Sequence, residues 1–459
     1  MHGSDITQSD RAHASTDPTT IQHPANGSAS TFRRARAVAS LWLLASMVLS
    51  VNWLEDLASR ADPLGPVAGW MFAIFVVAGI AWIPSYLMVL LVVTVLSDRS
   101  IATDDPRPTI PIAVIIAARN EAAAISATLR SVHASDYDGP VRVILADNGS
   151  TDGTAAIARQ TADAIGLSLQ VISVPVPGKA RALNASLEFV TESAFVTLDA
   201  DTALESTALR RIIGRLQSGT ERPAAVAGHL LVANSTRSIW SRLQEWDYRY
   251  AITAIKQFQS AYDAELVAQG AFSAYDANAV RAAGGWSDTV GEDIVLTWHM
   301  LEDRRRVVFE GSAIAYTTVP DNLRTLARQR RRWGRGMIEA IREVPPRHLP
   351  DRRSRFIAEI DLIIPWMDLA YTFAWIPGLV LAAFGDSAIV GPWTLLVIPW
   401  TVLLFGLLEH HERRVLRSAG IDRPLDWSIV VYVFGFQLVQ SPAAVAGYVL
   451  EGLHRAKRW

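Results

Sequence analysis

The sequence contains no cysteine, and only 19% of its 459 residues are charged. The missing thiols exclude disulfide bonds, zinc–thiolate sites and cysteine nucleophiles. Lysine and arginine total 43 against 45 aspartate and glutamate residues, so the chain lacks a basic surplus and we expect no nucleic-acid partner. Because half of the residues are hydrophobic, the composition favours a membrane protein over an ordinary soluble one.

The apolar residues fall into five long runs, each near or above the ~20 residues that a membrane-spanning helix needs. They lie at about 37–54, 66–96, 361–384, 388–408 and 427–450. A signal peptide is the alternative interpretation of the first run, although a long polar tail precedes it. Arginines before this run place the N-terminus in the cytoplasm, and two spans return the central polar region to that side.

The expected location is therefore the cell (inner or plasma) membrane, crossed several times, with the central domain in the cytoplasm. The predicted parts are a disordered tail at 1–30, two N-terminal transmembrane helices within 37–96, an α/β domain at 97–322, amphipathic interfacial helices at 323–356 and C-terminal transmembrane helices within 357–459. Five spans would leave the basic ending 454–459 outside. Either one C-terminal run does not cross, or this ending breaks the positive-inside rule.

Apolar, β-branched stretches alternate with helical patterns in the central domain. The stretches that end near Ala118, Asp147 and Asp199 are each followed by a polar turn. This alternation predicts a parallel α/β sheet, in which ligands bind beyond the carboxyl ends of the strands. The first turn has no G-x-G-x-x-G motif, which disfavours a dinucleotide-binding domain.

Two aspartates, Asp199 and Asp201, end one of these stretches. Side chains at i and i+2 of a strand point to the same face, so we expect both carboxylates to converge if the strand persists. A divalent cation would relieve their repulsion, and Mg²⁺ or Mn²⁺ shared with a diphosphate suits such oxygen ligands. A solvated strand end followed by a helix cap is the alternative.

Four motifs occur in order: ADNGSTDGT at 146–154, DAD at 199–201, GED at 291–293 and QRRRW at 329–333. Together they resemble the pattern of family 2 glycosyltransferases, and in particular of the processive membrane synthases that make cellulose, chitin, hyaluronan or poly-β-1,6-N-acetylglucosamine. The resemblance covers roughly residues 110–340. It implies a GT-A-like fold and an inverting hexosyltransferase that needs Mg²⁺ or Mn²⁺. The implied partners are a UDP-sugar, with UDP-N-acetylglucosamine as the best guess, and a growing β-linked polysaccharide.

The resemblance also implies roles for individual residues. The donor-binding residues would be Ala118, Arg119, Asn120, Glu121, Asp147, Lys179 and Asp199, and the metal ligands would be Asp199 and Asp201. Asp293 would be the general base, with Glu292 beside it. The acceptor and diphosphate would contact Gln329, Arg332, Trp333 and Gly270. An acidic pair at a helix N-terminus is the alternative interpretation of residues 292–293, and both interpretations can hold.

The segment LARQRRRWGRGMIEAI, residues 326–341, predicts a basic amphipathic helix on the membrane surface. Within it, Arg330, Arg331 and Arg335 are expected to contact phospholipid or solvent. Asp361 and Asp368 lie inside or beside the third apolar run, where they either line a polar passage or sit at the interface. Membrane lipids are therefore expected partners, and accessory export or regulatory proteins are compatible with the sequence.

Two other functions compete with a processive synthase. A non-processive transferase would add a single sugar to a lipid carrier, but the QRRRW motif argues against it. A transporter or signalling membrane protein with a nucleotide-binding domain is the alternative from another class, and the complete set of acidic motifs argues against that interpretation.

Overall fold

The computed structural model describes residues 25–97, 107–418, 420–421 and 426–453. Its centre is an eight-stranded mixed sheet, and apolar helices precede and follow the sheet in the chain. The strands are β1 Ile112–Ala118, β2 Val141–Asp147, β3 Leu169–Ser173, β4 Ala194–Asp199, β5 Thr202–Leu204, β6 Ala225–Val232, β7 Phe272–Asp276 and β8 Val307–Thr317.

The helices fall into three groups along the described chain. Those before the sheet are α1 Ala25–Leu49, α2 Val51–Arg60, α3 Pro66–Val77 and α4 Ile83–Ser97. Those of the sheet region are α5 Ile125–His133, α6 Thr154–Ile165, α7 Lys179–Leu187, α8 Ala208–Leu216, α9 Ile239–Trp246, α10 Ala254–Ser260, α11 Ala277–Ala282, α12 Glu292–Glu302 and α13 Leu323–Glu343. Those that follow are α14 Arg352–Asp361, α15 Ile364–Ala370, α16 Ile376–Ala383, α17 Gly391–Ser418, α18 Ser428–Gly435 and α19 Gln437–Gly452.

The strand order is β3-β2-β1-β4-β7-β6-β8-β5. The predicted parallel arrangement is confirmed for β1 to β4, because α5, α6 and α7 carry the chain back between these strands. Strands β6 and β8 are also parallel, but the prediction is wrong for β7, which runs antiparallel to β4 and β6, and for β5, which runs antiparallel to β8. Only two residues separate β4 from β5, and β5 pairs with the distant strand β8 instead of with β4.

Helices cover both faces of the sheet, which explains why its first strand is an uninterrupted apolar run. Along β1, Ile115 packs into one buried cluster, whereas Val114 and Ile116 pack into a second cluster on the opposite face. This alternation follows from the two-residue period of a strand. Burial on both sides fixes the strand register, and so fixes where each polar strand end lies.

The apolar helices agree with part of the predicted membrane region. Two helical stretches of the described chain, Pro66–Ser97 and Arg352–Ala383, are long and apolar enough to cross a membrane. Two further pairs, Thr31–Leu49 with Val51–Arg60 and Ser428–Gly435 with Gln437–Gly452, would raise the number to four if each bent pair is one span. The five predicted spans stay a prediction.

Helix α1 begins at Ala25, so residues 25–30 of the segment predicted as a disordered tail are helical. Residues 1–24 and the basic ending 454–459 lie outside the described residues.

Candidate active site

Strand β1 lies between two strands that end in aspartate. Its last residues, Ala117 and Ala118, are in register with Asp199 of β4 and Asp147 of β2, respectively. The two aspartates therefore flank the end of β1, about 10 Å apart across two strand spacings. Arg119 follows at the same edge and is exposed. The carboxyl edge of the parallel strands thus carries the polar residues that the sequence predicts there.

The loops after β1 and β2 are tied together by side chains. Asn120 has a φ of 59°, a conformation that asparagine tolerates better than most residues. Its Oδ1 accepts a hydrogen bond from the Thr151 N–H at 2.9 Å, and the Glu121 N–H donates to Thr154 Oγ1 at 2.9 Å. The amide oxygen of Asn120 therefore fixes the shape of the predicted donor-binding loop.

Lys179 begins α7 and points at the end of β4. Its Nζ lies 2.7 Å from Asp199 Oδ1. Burial alone would lower the pKa of Lys179, but the attraction of Asp199 and then of Glu292 outweighs burial and raises this pKa. A Cβ on Gly270 would lie 3.0 Å from Lys179 Nζ, so glycine leaves room for the ammonium group. Lys179 is therefore a fixed cation among carboxylates.

The D-x-D motif does not have the expected backbone. Strand β4 ends at Asp199, and Ala200 and Asp201 form a turn, so the strand geometry on which the expected convergence of the two carboxylates depended does not extend to Asp201. The turn forms because β5 begins immediately afterwards and pairs with a different strand, β8. The two carboxylates nevertheless act on one another, since burial and then the charge of Asp199 raise the pKa of Asp201 to about 6.

A third carboxyl group faces this pair. Burial, followed by the charges of Asp201 and Asp199, raises the pKa of Glu121 to about 7. Lys179 is the cation that lowers the pKa of Asp201, and its charge does not compensate for the burial and repulsion there. Glu121, Asp199 and Asp201 therefore lie close enough together for their charges to repel one another.

The donor set at this cluster suits a divalent ion that is shared with a ligand. Across the described ranges, no group of three or more histidine or acidic side chains has metal-binding geometry. One or two carboxylates are, however, the usual protein contribution to a Mg²⁺–nucleotide site, where phosphate oxygens and water complete the shell. Asp201 and Asp199, two carboxylates that repel one another, fit a hard cation bound in this way.

Glu292 and Asp293 begin α12, so the interpretation as an acidic pair at a helix N-terminus is confirmed. Asp293 Oδ2 accepts a hydrogen bond from the Gly270 N–H at 3.3 Å, and Oδ1 accepts one from the Ile294 N–H at 2.9 Å. Glu292 is buried, whereas Asp293 is half-buried. Asp293 is therefore the member of the pair that a ligand can reach.

The contacts connect this pair to the D-x-D motif. Gly270 contacts Asp293 through its N–H and lies against Lys179, which in turn pairs with Asp199. Burial, and then the charge of Asp293, raise the pKa of Glu292 to about 7, while Lys179 and Arg332 oppose the increase. The motifs around residues 199 and 292 therefore belong to one site.

Replacing Glu292 by glutamine should stabilise the protein at pH 8 but not at pH 4.5. The folded-state pKa of Glu292 lies above its ordinary value of 4.5, so the folded protein binds this proton more tightly than the unfolded chain does. The stability that the bound proton contributes is complete below pH 4.5 and is lost as the pH rises through about 7. We expect the melting temperature at pH 8 to increase by about 4 °C, measured by tryptophan fluorescence in detergent. The exposed Glu188→Gln variant is the control, and equal shifts in both variants would contradict this role of burial.

Helix α13 carries the QRRRW motif. Trp333 is half-buried and packs against the sheet core, while Arg332 is exposed and its charge acts on Glu292. Gln329 is half-buried one turn before Trp333. The charge of Arg332 thus acts on the acidic pair. The guanidinium group of Arg330 covers one face of the Trp333 ring, 4.1 Å from the ring centre.

Two arginines of α13 do not behave as predicted. Arg330 and Arg335 are buried, so their assignment to phospholipid or solvent is wrong. Arg330 Nη2 lies 2.7 Å from Asp247 Oδ2, and Arg335 Nη2 lies 3.1 Å from Glu451 Oε2. Helical spacing could have placed Arg330 inward, because it follows Leu326 by four residues and precedes Trp333 by three. No sequence signal pointed to Asp247.

Helix α13 is clamped between the acidic pair and a C-terminal helix. A Cβ on Gly336 would lie 2.8 Å from the Gly291 Cα, and a Cβ on Gly334 would lie 2.7 Å from the Ala444 carbonyl oxygen. Glu339 Oε2 also accepts a hydrogen bond from the Gly291 N–H at 3.2 Å. These close approaches fix the QRRRW helix against both the start of α12 and helix α19.

The two aspartates near the third apolar run differ in environment. Asp368 is buried in α15, and the hydroxyl groups of Ser441 and Tyr448 each donate a hydrogen bond to its carboxylate at 2.6 Å. Asp361 is half-buried at the end of α14. Asp368 therefore contributes a polar contact between α15 and α19.

Residues 108–336 match the family model described as "Glycosyltransferase like family 2". The chain carries a family 2 glycosyltransferase domain. The poly-beta-1,6-N-acetyl-D-glucosamine synthase of Staphylococcus aureus (strain COL) is 30% identical over 234 residues, which are 50% of this chain and 55% of that protein. The synthase of the same name from Staphylococcus epidermidis is 29% identical over the same length. The chain spans about half the length of these curated relatives.

A solved glycosyltransferase structure has the same fold as this chain. The mannosyltransferase PcManGT from Pyrobaculum calidifontis, in complex with GDP-Man and Mn²⁺, matches with a TM-score of 0.58 at 20% sequence identity. The match covers 83% of this chain and 99% of that one. The predicted GT-A-like fold is thereby confirmed, with the mixed sheet described above.

Proposed function

We propose that the chain is a membrane-embedded, inverting polysaccharide synthase. It transfers sugar from a UDP-sugar, with UDP-N-acetylglucosamine as the favoured donor, to a growing β-linked chain. The observation that carries this proposal is the connected series of contacts from Asp199 through Lys179 and Gly270 to Asp293. The likeness to staphylococcal poly-beta-1,6-N-acetyl-D-glucosamine synthases supports the choice of sugar and product.

The nucleotide would lie across the carboxyl ends of β1 and β2. There Ala118, Arg119, Asn120, Glu121 and Asp147 surround the nucleoside. The crossing hydrogen bonds of Asn120 and Glu121 hold the two loops in place before the donor arrives. A rigid binding loop loses less conformational entropy on binding than a mobile one.

The diphosphate would lie between Lys179 and Arg332. Asp201, with Asp199 beside it, would hold Mg²⁺ or Mn²⁺, and this ion supplies positive charge to the leaving diphosphate. Lys179 is already held at 2.7 Å from Asp199, so its charge is in place before the bond to the sugar breaks. Such prearranged charge is usually a large part of enzymatic rate acceleration.

The acceptor hydroxyl would give its proton to Asp293. The hydrogen bond from the Gly270 N–H orients the Asp293 carboxylate, while its partial exposure leaves it open to the acceptor. Attack of the hydroxyl oxygen on the anomeric carbon expels UDP in one displacement, which inverts that centre. An α-linked donor therefore gives a β-linked product.

The product would leave along α13 into the membrane region. Gln329 and Trp333 contact the acceptor chain, and the clamp between α12 and α19 keeps them next to Asp293. The catalytic domain would face the cytoplasm, with about five spans carrying the polysaccharide outward and accessory export or regulatory proteins as possible partners. The two to four apolar helical units of the described chain support a membrane location.

Replacing Asp201 by alanine should abolish the dependence of donor binding on the metal. With the carboxylate lost, we expect affinity for UDP in the presence of Mn²⁺ to decrease about 100-fold, toward the affinity without metal. Isothermal titration of UDP with and without Mn²⁺ measures both values. Asp163→Ala on α6 is the control, and an unchanged response to Mn²⁺ in the Asp201 variant would exclude this aspartate as a ligand.

Incubation of the reconstituted protein with a panel of UDP-sugars tests the function itself. We expect UDP release with UDP-N-acetylglucosamine and a β-linked polymer by mass and linkage analysis. Absence of UDP release with every donor would refute the proposal. A product with one added sugar on a lipid would instead identify the non-processive transferase.

A further inference from the structure

A groove of about 400 Å³ lies between α13 and α19. Its polar wall is formed by Arg324, Arg328 and Arg331 of α13, and Ala443 and Ala446 of α19 line the opposite wall. The three arginines are spaced by four and three residues, so they share one face of the helix. One side of the groove is therefore cationic and the other is apolar.

The positive charge of the groove is not neutralised by the surrounding protein. Arg324, Arg328 and Arg331 are exposed, and no carboxylate in the described ranges forms an ion pair with them. The same face continues at Arg335, where α19 does supply a partner, Glu451. Helix α19 thus neutralises the fourth arginine of this row but presents alanine to the first three.

The apolar wall belongs to a candidate membrane helix. Helices α18 and α19 together are long and apolar enough for one bent span. Leu438 and Val449 of α19 are exposed, as expected for side chains that contact acyl chains. An occupant that matches both walls must have an anionic head and an apolar tail.

We propose that this groove binds an anionic phospholipid. The guanidinium groups of Arg324, Arg328 and Arg331 donate hydrogen bonds to the phosphate oxygens, and the acyl chains lie along Ala443, Ala446 and the apolar surface of α19. Arginine is suited to this contact because its planar fork matches phosphate, and basic pockets beside membrane helices bind anionic head groups. A soluble phosphate would use only the polar wall. The proposal rests on the membrane location proposed above but not on glycosyl transfer.

The groove lies beside the clamp that positions the QRRRW motif. A Cβ on Gly447 would clash with the Arg331 carbonyl oxygen, so α13 and α19 are in backbone contact directly next to the arginines. A bound lipid would offset the repulsion among the three cations at this crossing. It would thereby hold the helix that carries Gln329 and Trp333.

Native mass spectrometry of the detergent-purified protein tests the proposal. Phosphatidylglycerol and phosphatidylcholine with the same acyl chains are added separately, and the bound fraction is measured against lipid concentration. We expect tighter binding of phosphatidylglycerol in the wild type. In the triple variant Arg324→Gln, Arg328→Gln, Arg331→Gln we expect phosphatidylglycerol to bind about 100-fold more weakly, with phosphatidylcholine unchanged.

A second triple variant controls for net charge. Arg130→Gln, Arg222→Gln and Arg305→Gln remove three exposed arginines from the catalytic domain, and we expect phosphatidylglycerol binding within twofold of wild type. Both triple variants must unfold at the same temperature as the wild type, which shows that they are folded. Equal retention of phosphatidylglycerol by the groove variant and the wild type would overturn the proposal.

A competition experiment distinguishes the sources of phosphate. We expect glycerol phosphate and inorganic phosphate at equal concentration to leave bound phosphatidylglycerol in place. Displacement by either would overturn the lipid assignment in favour of a soluble anion. Recovery of the protein from cells without detergent would refute the membrane location, whereas a detergent-requiring protein without phosphatidylglycerol preference refutes the groove assignment alone.

Discussion

Replacing Asp293 by asparagine is expected to lower kcat by about 10²–10⁴-fold while UDP binds nearly as tightly as before. Asparagine has almost the same shape and can still accept the Gly270 N–H, but it cannot take the proton of the acceptor hydroxyl. The variant therefore tests the role of Asp293 as a general base without changing the UDP-binding site. UDP release measures turnover, and isothermal titration measures UDP affinity.

The matched control for this variant lies at the other end of the same helix. Asp303→Asn alters an exposed aspartate after the last turn of α12, and we expect its kcat to stay within twofold of wild type. Full activity of the Asp293 variant would remove Asp293 from the role of base. A large loss of UDP affinity would instead assign Asp293 to donor binding.

Replacing Asp247 by alanine is expected to destabilise the protein by about 3–5 kcal/mol, because the guanidinium group of Arg330 is left buried without its carboxylate. Only 1% of Asp247 and 4% of Arg330 are exposed, so water cannot replace the lost partner. Arg330 also covers the ring of Trp333, and we expect kcat to fall together with stability. Thermal unfolding and UDP release measure the two effects.

The double variant Asp247→Leu, Arg330→Met separates stability from function. With neither charge present, we expect most of the stability to return, while kcat stays low because Trp333 has lost its stacking partner. Asp136→Ala provides a comparison, because it removes the partner of Arg210 far from α13 and should affect stability alone. A double variant as unstable as the sum of the single variants would contradict a direct pairing.

The residues at the ends of β1, β2 and β4 were predictable from local sequence. Apolar strands followed by helices require their carboxyl ends to meet at one edge, so the sequence places Asp147 and Asp199 at the same edge. Their positions on either side of β1 follow from the strand order, which the structure supplies. The order of the motifs identified the family because each motif is a short, contiguous segment. The strand ends and the motifs each depend on residues that are neighbours in the chain, so both can be recognised in the sequence.

The second half of the sheet depends on contacts that local sequence does not contain. Strand β7 inserts antiparallel between β4 and β6, and the pairing of a strand with distant partners has no local signature. The pairing of Arg335 with Glu451 joins residues 116 positions apart. An arginine in a basic segment is therefore predicted to be exposed, because the sequence does not show the distant carboxylate that pairs with it when it is buried.

A structure of the full chain with UDP and Mn²⁺ tests the central claim most directly. We expect one nucleotide with its uridine between the loops after β1 and β2, near Asp147. We also expect an anomalous manganese signal at Asp201, and Asp293 on the far side of the diphosphate. A nucleotide bound elsewhere, or Asp147, Asp201 and Asp293 facing separate cavities, would contradict the claim.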